Sequence, residues 1–124
     1  MAIEEYFFDT YALYEVIKGN NDYKKFTSGC AIITTRLNLM ELYYGLLLKH
    51  DENTAEKYYE IFKGYVVDTD DETIKQAMKL KKQIKQKNLS YVDCIGYTIS
   101  LERNIKFLTG DKEFKNLPNV EYIK

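Results

Sequence analysis

The sequence predicts an α/β fold, a three-layer α/β/α sandwich around a central, mainly parallel five-stranded sheet. Short apolar runs alternate with helical patterns along the whole chain. The 124 residues suit one domain, residues 1–124, with no room for a second core of normal size. Hydrophobic residues make up 45% and charged residues 30%, the balance of a globular chain rather than a disordered one.

The first expected strand is Ile3 to Phe8, rich in Ile, Tyr and Phe. Asp9 and Thr10 end it, and TYALYEVIKGN reads as a helix whose apolar stripe is Ala12, Leu13, Val16 and Ile17. Gly19-Asn20-Asn21 is a stop signal, NDYKKFTS a second short helix, and CAII (Cys30 to Ile33) the second strand. Thr34 and Thr35 stand at a strand-to-helix junction, where hydroxyls cap well. The next helix, RLNLMELYYGLLLKH, is apolar around most of its circumference. Asn53-Thr-Ala-Glu56 has the capping-box pattern and opens another helix, AEKYYEIFKG. Tyr65-Val66-Val67 is the third expected strand. A long helix over Asp70 to Asn88 turns Ile74, Ala77, Leu80 and Ile84 inward and a lysine-rich face outward. Ser90 then opens a helix that leads into the strand Lys106 to Leu108. A turn of helix at Lys112 to Lys115 and a last strand, Val120 to Ile123, complete the chain.

The net charge of −1 provides no whole-protein attraction to nucleic acid, so such binding needs a local patch. Lys75, Lys79, Lys81, Lys82, Lys85 and Lys87 form a basic helix that reads first as a solvated face. The N-terminus MAIEEYFFD is too short and acidic for a signal peptide, and no apolar run approaches the roughly 18 residues of a membrane span. Cys30 and Cys94 lie in apolar surroundings without CxxC spacing, which predicts buried reduced thiols and a cytoplasmic protein. The lone His50, at a lysine-flanked helix end, reads as a solvated terminus residue. GxGxxG, P-loop and GxSxG motifs are absent, so dinucleotide, nucleotide triphosphate and serine hydrolase chemistries lack their residues.

Four acids stand out, each with an ordinary explanation beside a functional one. Asp9 closes the first strand and is a preferred N-cap residue. Glu41 falls beside Leu37 and Leu48 at the margin of an apolar helix face, at about 100° per residue. Burying a polar group there without a partner costs about 2–7 kcal/mol. Gly45, one turn on, removes bulk beside Glu41 although Gly in a helix interior costs about 1 kcal/mol relative to Ala. Asp93 completes a capping box with Ser90, and Asp111 follows Gly110 in a turn. In a wound α/β sheet the ligand edge lies outside the carboxyl ends of the strands. If the strands carrying these acids are neighbours, all four carboxylates converge there. Converging carboxylates repel unless divalent cations neutralise them, and oxygen-only ligation suits Mg²⁺ or Mn²⁺ rather than zinc. Phosphodiester hydrolysis is the chemistry such a pocket serves. The excess apolar surface of the Glu41 helix, together with Tyr43, Tyr44, Tyr58 and Tyr59, predicts a homodimer.

The segments FFDTYAL around Asp9, TTRLNLMELYYGLL around Glu41, LSYVDCIGYTIS around Asp93 and FLTGDKEF around Asp111 resemble those of PIN domains. In length and layout the chain is similar to VapC-type ribonuclease toxins of toxin–antitoxin pairs. The resemblance implies a Mg²⁺- or Mn²⁺-dependent endoribonuclease acting on single-stranded RNA, with an antitoxin protein as partner. It implies that Asp9, Glu41, Asp93 and Asp111 are the catalytic and metal-binding acids, and that Thr10 and Thr109 are supporting hydroxyls. It also gives Phe114 the place of the motif's structural aromatic. Around Asp93 the chain departs from the family's small alanines with Cys94, Gly96 and Tyr97, of which Tyr97 is expected to narrow the pocket. The alternative reading is a non-catalytic PIN-fold module that binds protein or RNA. A haloacid-dehalogenase-like phosphatase would need a second Asp two residues after Asp9, where this chain has Tyr11.

Overall fold

The computed structural model describes residues 3–85 and 87–124. Four parallel strands form one sheet in the order β2-β1-β3-β4: β1 (Glu4–Phe8), β2 (Cys30–Ile33), β3 (Lys106–Thr109) and β4 (Val120–Tyr122). Phe7 pairs with Ile33 on one side and with Phe107 on the other, so β1 is central. Among the described residues, six α-helices complete the fold: α1 (Thr10–Lys18), α2 (Lys24–Thr27), α3 (Arg36–Lys49), α4 (Glu52–Phe62), α5 (Asp71–Gln83) and α6 (Tyr91–Glu102).

Successive residues of a strand point to opposite faces, and the two halves of the core follow from that alternation. Phe8 and Leu108 point into a cluster with Leu13, Leu39, Leu42 and Leu46 from α1 and α3. Phe7 and Phe107 point the other way, into a cluster with Cys94, Ile95, Tyr97 and Ile99 of α6 and Ala77 of α5. Both pairs are fully buried. The Phe7 and Phe107 rings stack at 5.5 Å, and Phe114 packs on Phe107 at 4.5 Å. Gly96 explains how closely α6 approaches the sheet, since a Cβ there would lie 2.6 Å from the Phe7 ring. The layered α/β/α architecture predicted from the sequence is therefore present.

Several local expectations require correction. Among the described residues the sheet has four strands, not five. Tyr65-Val66-Val67 contributes only a single parallel bridge, Thr34 to Val66. The partner strand runs out there: Thr34 N donates to Tyr65 O and Val67 N to Thr34 O, but Thr35 already caps α3, so the ladder cannot continue. Helix α4 starts at Glu52 because the Asp51 carboxylate accepts from Thr54 N at 2.7 Å, so Asp51 rather than Asn53 is the cap. Helix α5 ends at Gln83, five residues before Asn88. Met1, Ala2 and Gln86 lie outside the described residues, so the expectations that include them extend beyond the structure there.

On α5, Ala77, Leu80 and Ile84 pack inward as expected, but Ile74 does not. Ile74 is 42% exposed, while Thr73 and Ala77 are buried. Thr73 tolerates burial because its hydroxyl donates to Glu102 at 2.7 Å. Ile3 is exposed and precedes the first strand. Both cysteines are free: Cys94 is buried, whereas Cys30 is half-buried with its thiol directed at Lys25 O. Among the described residues no helix is long and apolar enough to cross a membrane.

The glycines allow a direct stability test. Gly96→Ala should cost about 1–3 kcal/mol through overpacking against Phe7. Gly45→Ala, where a Cβ meets nothing within 4 Å, should instead stabilise by up to about 1 kcal/mol. Urea unfolding of both variants checks the two signs.

Candidate active site

Each acid is held by a backbone feature that its own sequence neighbourhood creates. Asp9 ends the central strand and caps α1, its Oδ1 accepting from Ala12 N at 2.8 Å. Its Oδ2 accepts from the Thr109 hydroxyl at 2.5 Å, across the neighbouring strand β3. Thr109 Oγ1 in turn accepts from Asp111 N at 3.0 Å. Asp111 caps the 3-10 turn Lys112–Phe114, with its Oδ1 taking Glu113 N at 3.0 Å. Gly110 permits this arrangement, because a Cβ there would collide with the Tyr11 ring and the Ile123 carbonyl. Asp93 sits in the reciprocal capping box: Ser90 N donates to its Oδ2 at 2.9 Å and its own N donates to Ser90 Oγ at 3.0 Å.

Glu41 lies in the middle of α3 and is half-buried. Its Oε1 accepts from the Thr10 hydroxyl at 2.7 Å, and Thr10 Oγ1 accepts from Asn38 Nδ2 at 3.1 Å. The Thr35 hydroxyl donates to Asn38 Oδ1 at 2.6 Å, closing a relay Thr35–Asn38–Thr10–Glu41. Asn38 is 2% exposed, although in the sequence it reads only as part of a polar helix sector. Its position one turn before Glu41, next to the capping Thr35, was the available signal. Among the described residues, Glu41 Oε2 and Asp111 Oδ2 have no protein hydrogen-bond donor.

The electrostatics tie the acids together. Burial pushes the Asp9 carboxyl up to about 8, against the Thr109 and Ala12 hydrogen bonds, and the charges of Asp93 and Asp111 push in the same direction. Burial also raises Glu41, opposed by the Thr10 hydrogen bond and assisted by Asp93. Asp93 is raised by burial against its Ser90 bonds, with Asp111 raising it and Lys81 lowering it. The four acids therefore share one field at the carboxyl edge of the sheet. Among the described residues, no group of three His, Cys, Asp or Glu side chains stands close enough to hold an ion in this arrangement. The donor chemistry nevertheless fits a hard divalent cation, because the set is oxygen-only and each charge disfavours the next.

Other expected features lie elsewhere. Tyr97 does not face the acids; it is buried against Phe107 and Phe114, and its hydroxyl donates to Pro118 O. Phe114 is fully buried, as expected of a structural aromatic. Lys75, Lys79, Lys82 and Lys85 are solvated, whereas Lys81 donates to Leu89 O at 2.5 Å and lies near the Tyr91 ring. His50 is exposed at the end of α3, against the Tyr14 hydroxyl.

The raised carboxyls set the sign of a pH effect. With Asp9 near 3.8 unfolded and about 8 folded, the folded state holds a proton that the unfolded state has lost between those values. Stability is then fully present below about pH 4 and falls as pH rises to 8, by up to roughly 1.4 kcal/mol per pH unit. Thermal melts in EDTA should show a lower Tm at pH 8 than at pH 5. Asp9→Asn, which retains a capping side chain, should reduce that difference and melt higher at pH 8.

The PIN domain profile matches residues 6–120. No curated protein matches the sequence. Among solved structures, the VapC20 toxin of Mycobacterium tuberculosis, described as cleaving the sarcin–ricin loop, superposes with a TM-score of 0.82 at 16% identity, covering 94% of this chain and 97% of that one. A toxin–antitoxin complex from Klebsiella pneumoniae gives 0.72 at 19% identity, covering 94% and 98%. VapBC2 from Rickettsia felis, bound to a fragment of its promoter DNA, gives 0.73 at 20% identity, covering 97% and 99%. At these identities the structural likeness establishes the fold, and the profile match over most of the chain establishes the family. The chain belongs to the PIN domain family.

Proposed function

We propose that this chain, as a single domain over residues 1–124, is a metal-dependent endoribonuclease that hydrolyses phosphodiester bonds of single-stranded RNA. The observation that carries the reading is the buried Asp9 carboxylate, fixed by Thr109 and sharing one field with Asp93 and Asp111. A carboxylate buried among carboxylates is unfavourable by itself and is expected where cation binding offsets it. Asp9, Glu41, Asp93 and Asp111 would hold Mg²⁺ or Mn²⁺. Such an ion, when bound, polarises the phosphate and eases deprotonation of water.

The chain's own residues supply orientation and proton transfer. Thr109 locks the Asp9 carboxylate at one rotation, and the Asn38–Thr10 relay does the same for Glu41 Oε1. Glu41 Oε2 is left to accept a proton from the attacking water, a role suited to a carboxyl raised by burial. The likeness to VapC20, described as a toxin that cleaves the sarcin–ricin loop, supports RNA as the substrate. The likeness to chains solved in toxin–antitoxin complexes supports an antitoxin partner. Met40, Tyr44, Leu47 and Leu48 are exposed on α3, which supports self-association into a homodimer. The free cysteines fit a reducing, cytoplasmic setting.

Asp9→Asn should lower RNA cleavage in Mn²⁺ by more than about a hundredfold, with the fold retained by circular dichroism, and EDTA should silence the wild type. If the variant cut as fast as wild type and EDTA were harmless, the assignment would be wrong.

The separation of the acids favours a second reading, a non-catalytic PIN-fold module that binds protein or RNA. Isothermal titration separates the two. The nuclease should bind Mn²⁺ and gain about 2.7 kcal/mol of stability at one hundred times Kd, and Asp9→Asn should lose most of that gain. A wild type with neither heat of binding nor a shift in Tm would favour the module.

A further inference from the structure

A cavity of about 410 Å³ opens between α1 and α3, with Thr10 and Glu41 on its rim. That volume falls within the range of small-ligand sites, roughly 300–1,000 Å³. Features of its walls play no part in holding the acids. Gly45, one turn beyond Glu41, offers no side chain, and neither a positive φ nor a close approach requires glycine there. A glycine that costs about 1 kcal/mol in helix propensity without a backbone reason marks a place where α3 is cut away.

Cations stand at the same opening. Lys49 holds its Nζ 4.8 Å from the centre of the Tyr14 ring, and Lys18 approaches that ring at 5.8 Å. Tyr14 is itself braced across to α3, its hydroxyl 3.3 Å from His50 Nε2. Lys18 is paired with Glu15 at 3.2 Å, whereas Lys49 has no carboxylate within salt-bridge distance among the described residues. An exposed cation–π contact is worth about 0.5–1 kcal/mol, enough to pre-position the Lys49 ammonium but too little to hold it against a phosphate. Leu42 adds apolar surface to the wall.

Building on the nuclease reading, we propose that this cavity seats the nucleotide next to the scissile phosphate of single-stranded RNA. Lys49 takes its backbone phosphate, while Tyr14 and Leu42 pack against its base or sugar. The argument is continuity and charge. A strand whose scissile phosphate lies among the acids must leave them past carboxylates, and the α1–α3 opening is an exit from Glu41 that carries cations, an aromatic ring and room for a nucleoside.

The test uses the whole chain with a single-stranded RNA oligonucleotide and two substitutions, Lys49→Gln and Gly45→Leu. In Mn²⁺, KM should rise roughly fivefold for Lys49→Gln and tenfold or more for Gly45→Leu, with smaller changes in kcat. In the Asp9→Asn background, fluorescence anisotropy against salt should give Lys49→Gln a log–log slope smaller by about 0.7, the release of one phosphate contact to a single strand. A Lys49 that is merely solvated would change neither quantity. Lys49→Gln lies at an exposed position, so it carries the test if Gly45→Leu disturbs folding. If the wild type cleaves RNA while both variants keep its KM and salt slope, the subsite is refuted and the nuclease reading stands. If the wild type does not cleave RNA at all, the nuclease reading fails and the subsite fails with it.

Discussion

The burial of one carboxylate at the end of the central strand organises this molecule. Asp9 is 4% exposed, and both its oxygens are occupied, one by the first turn of α1 and the other by the Thr109 hydroxyl of β3. Without those two bonds a group of this kind would cost several kcal/mol. The bonds therefore dictate where α1 begins, how β1 and β3 align at their carboxyl ends, and which way the side chain faces. The packing below follows the same constraint, because Phe7 and Phe8 must enter opposite layers for Asp9 to emerge at the edge.

Capping and mutual charge coupling fall on the same residues in this fold. Asp9, Asp93 and Asp111 each satisfy backbone donors at the start of a helical turn, and each belongs to the shared electrostatic field. A cap fixes a carboxylate by one oxygen against a rigid backbone, which is a way to position a charged group on a short loop. Glu41 is the exception, since it stands in mid-helix where no free backbone donor exists. Its orientation comes from side chains instead, through Thr10 and Asn38. This explains why Glu41 is held by side chains alone, whereas the other three also accept from backbone amides.

Strongly local signals were legible in the sequence. The apolar runs EYFF, CAII and KFL became strands and the Ser90–Asp93 capping box formed as read, because contacts a few residues apart determine them. The errors arose where competing groups lay close in sequence or where tertiary packing decided. Asp51 outcompeted Asn53 as a cap two residues earlier, and the expected strand at Tyr65 to Val67 found a partner only at Thr34, where α3 begins. Ile74 yielded the inward position to Thr73, whose hydroxyl found Glu102 on α6, a partner 29 residues away. Tyr97 followed the same logic, drawn inward by Phe107, Phe114 and the Pro118 carbonyl. Of the candidate site, Asp9, Asp93 and Asp111 stand out by their places at strand and helix ends, and Glu41 by its place at the margin of an apolar helix face. Asn38 could not, because its importance rests on a hydroxyl 28 residues upstream.

The hydrogen bond from Thr109 to Asp9 closes a span of 100 residues, and the one from Tyr23 to Ile123 closes another of equal length. Contacts of such separation form late, because loop-closure entropy must be met first. A ribosome delivers the N-terminal segment first, so Asp9 is made long before its partner exists. A growing or prematurely ended chain that lacks β3 has neither the hydroxyl that orients Asp9 nor the acid at position 111. The finished arrangement is thus conditional on the late strand: Asp9 stays unoriented until β3 has docked beside β1.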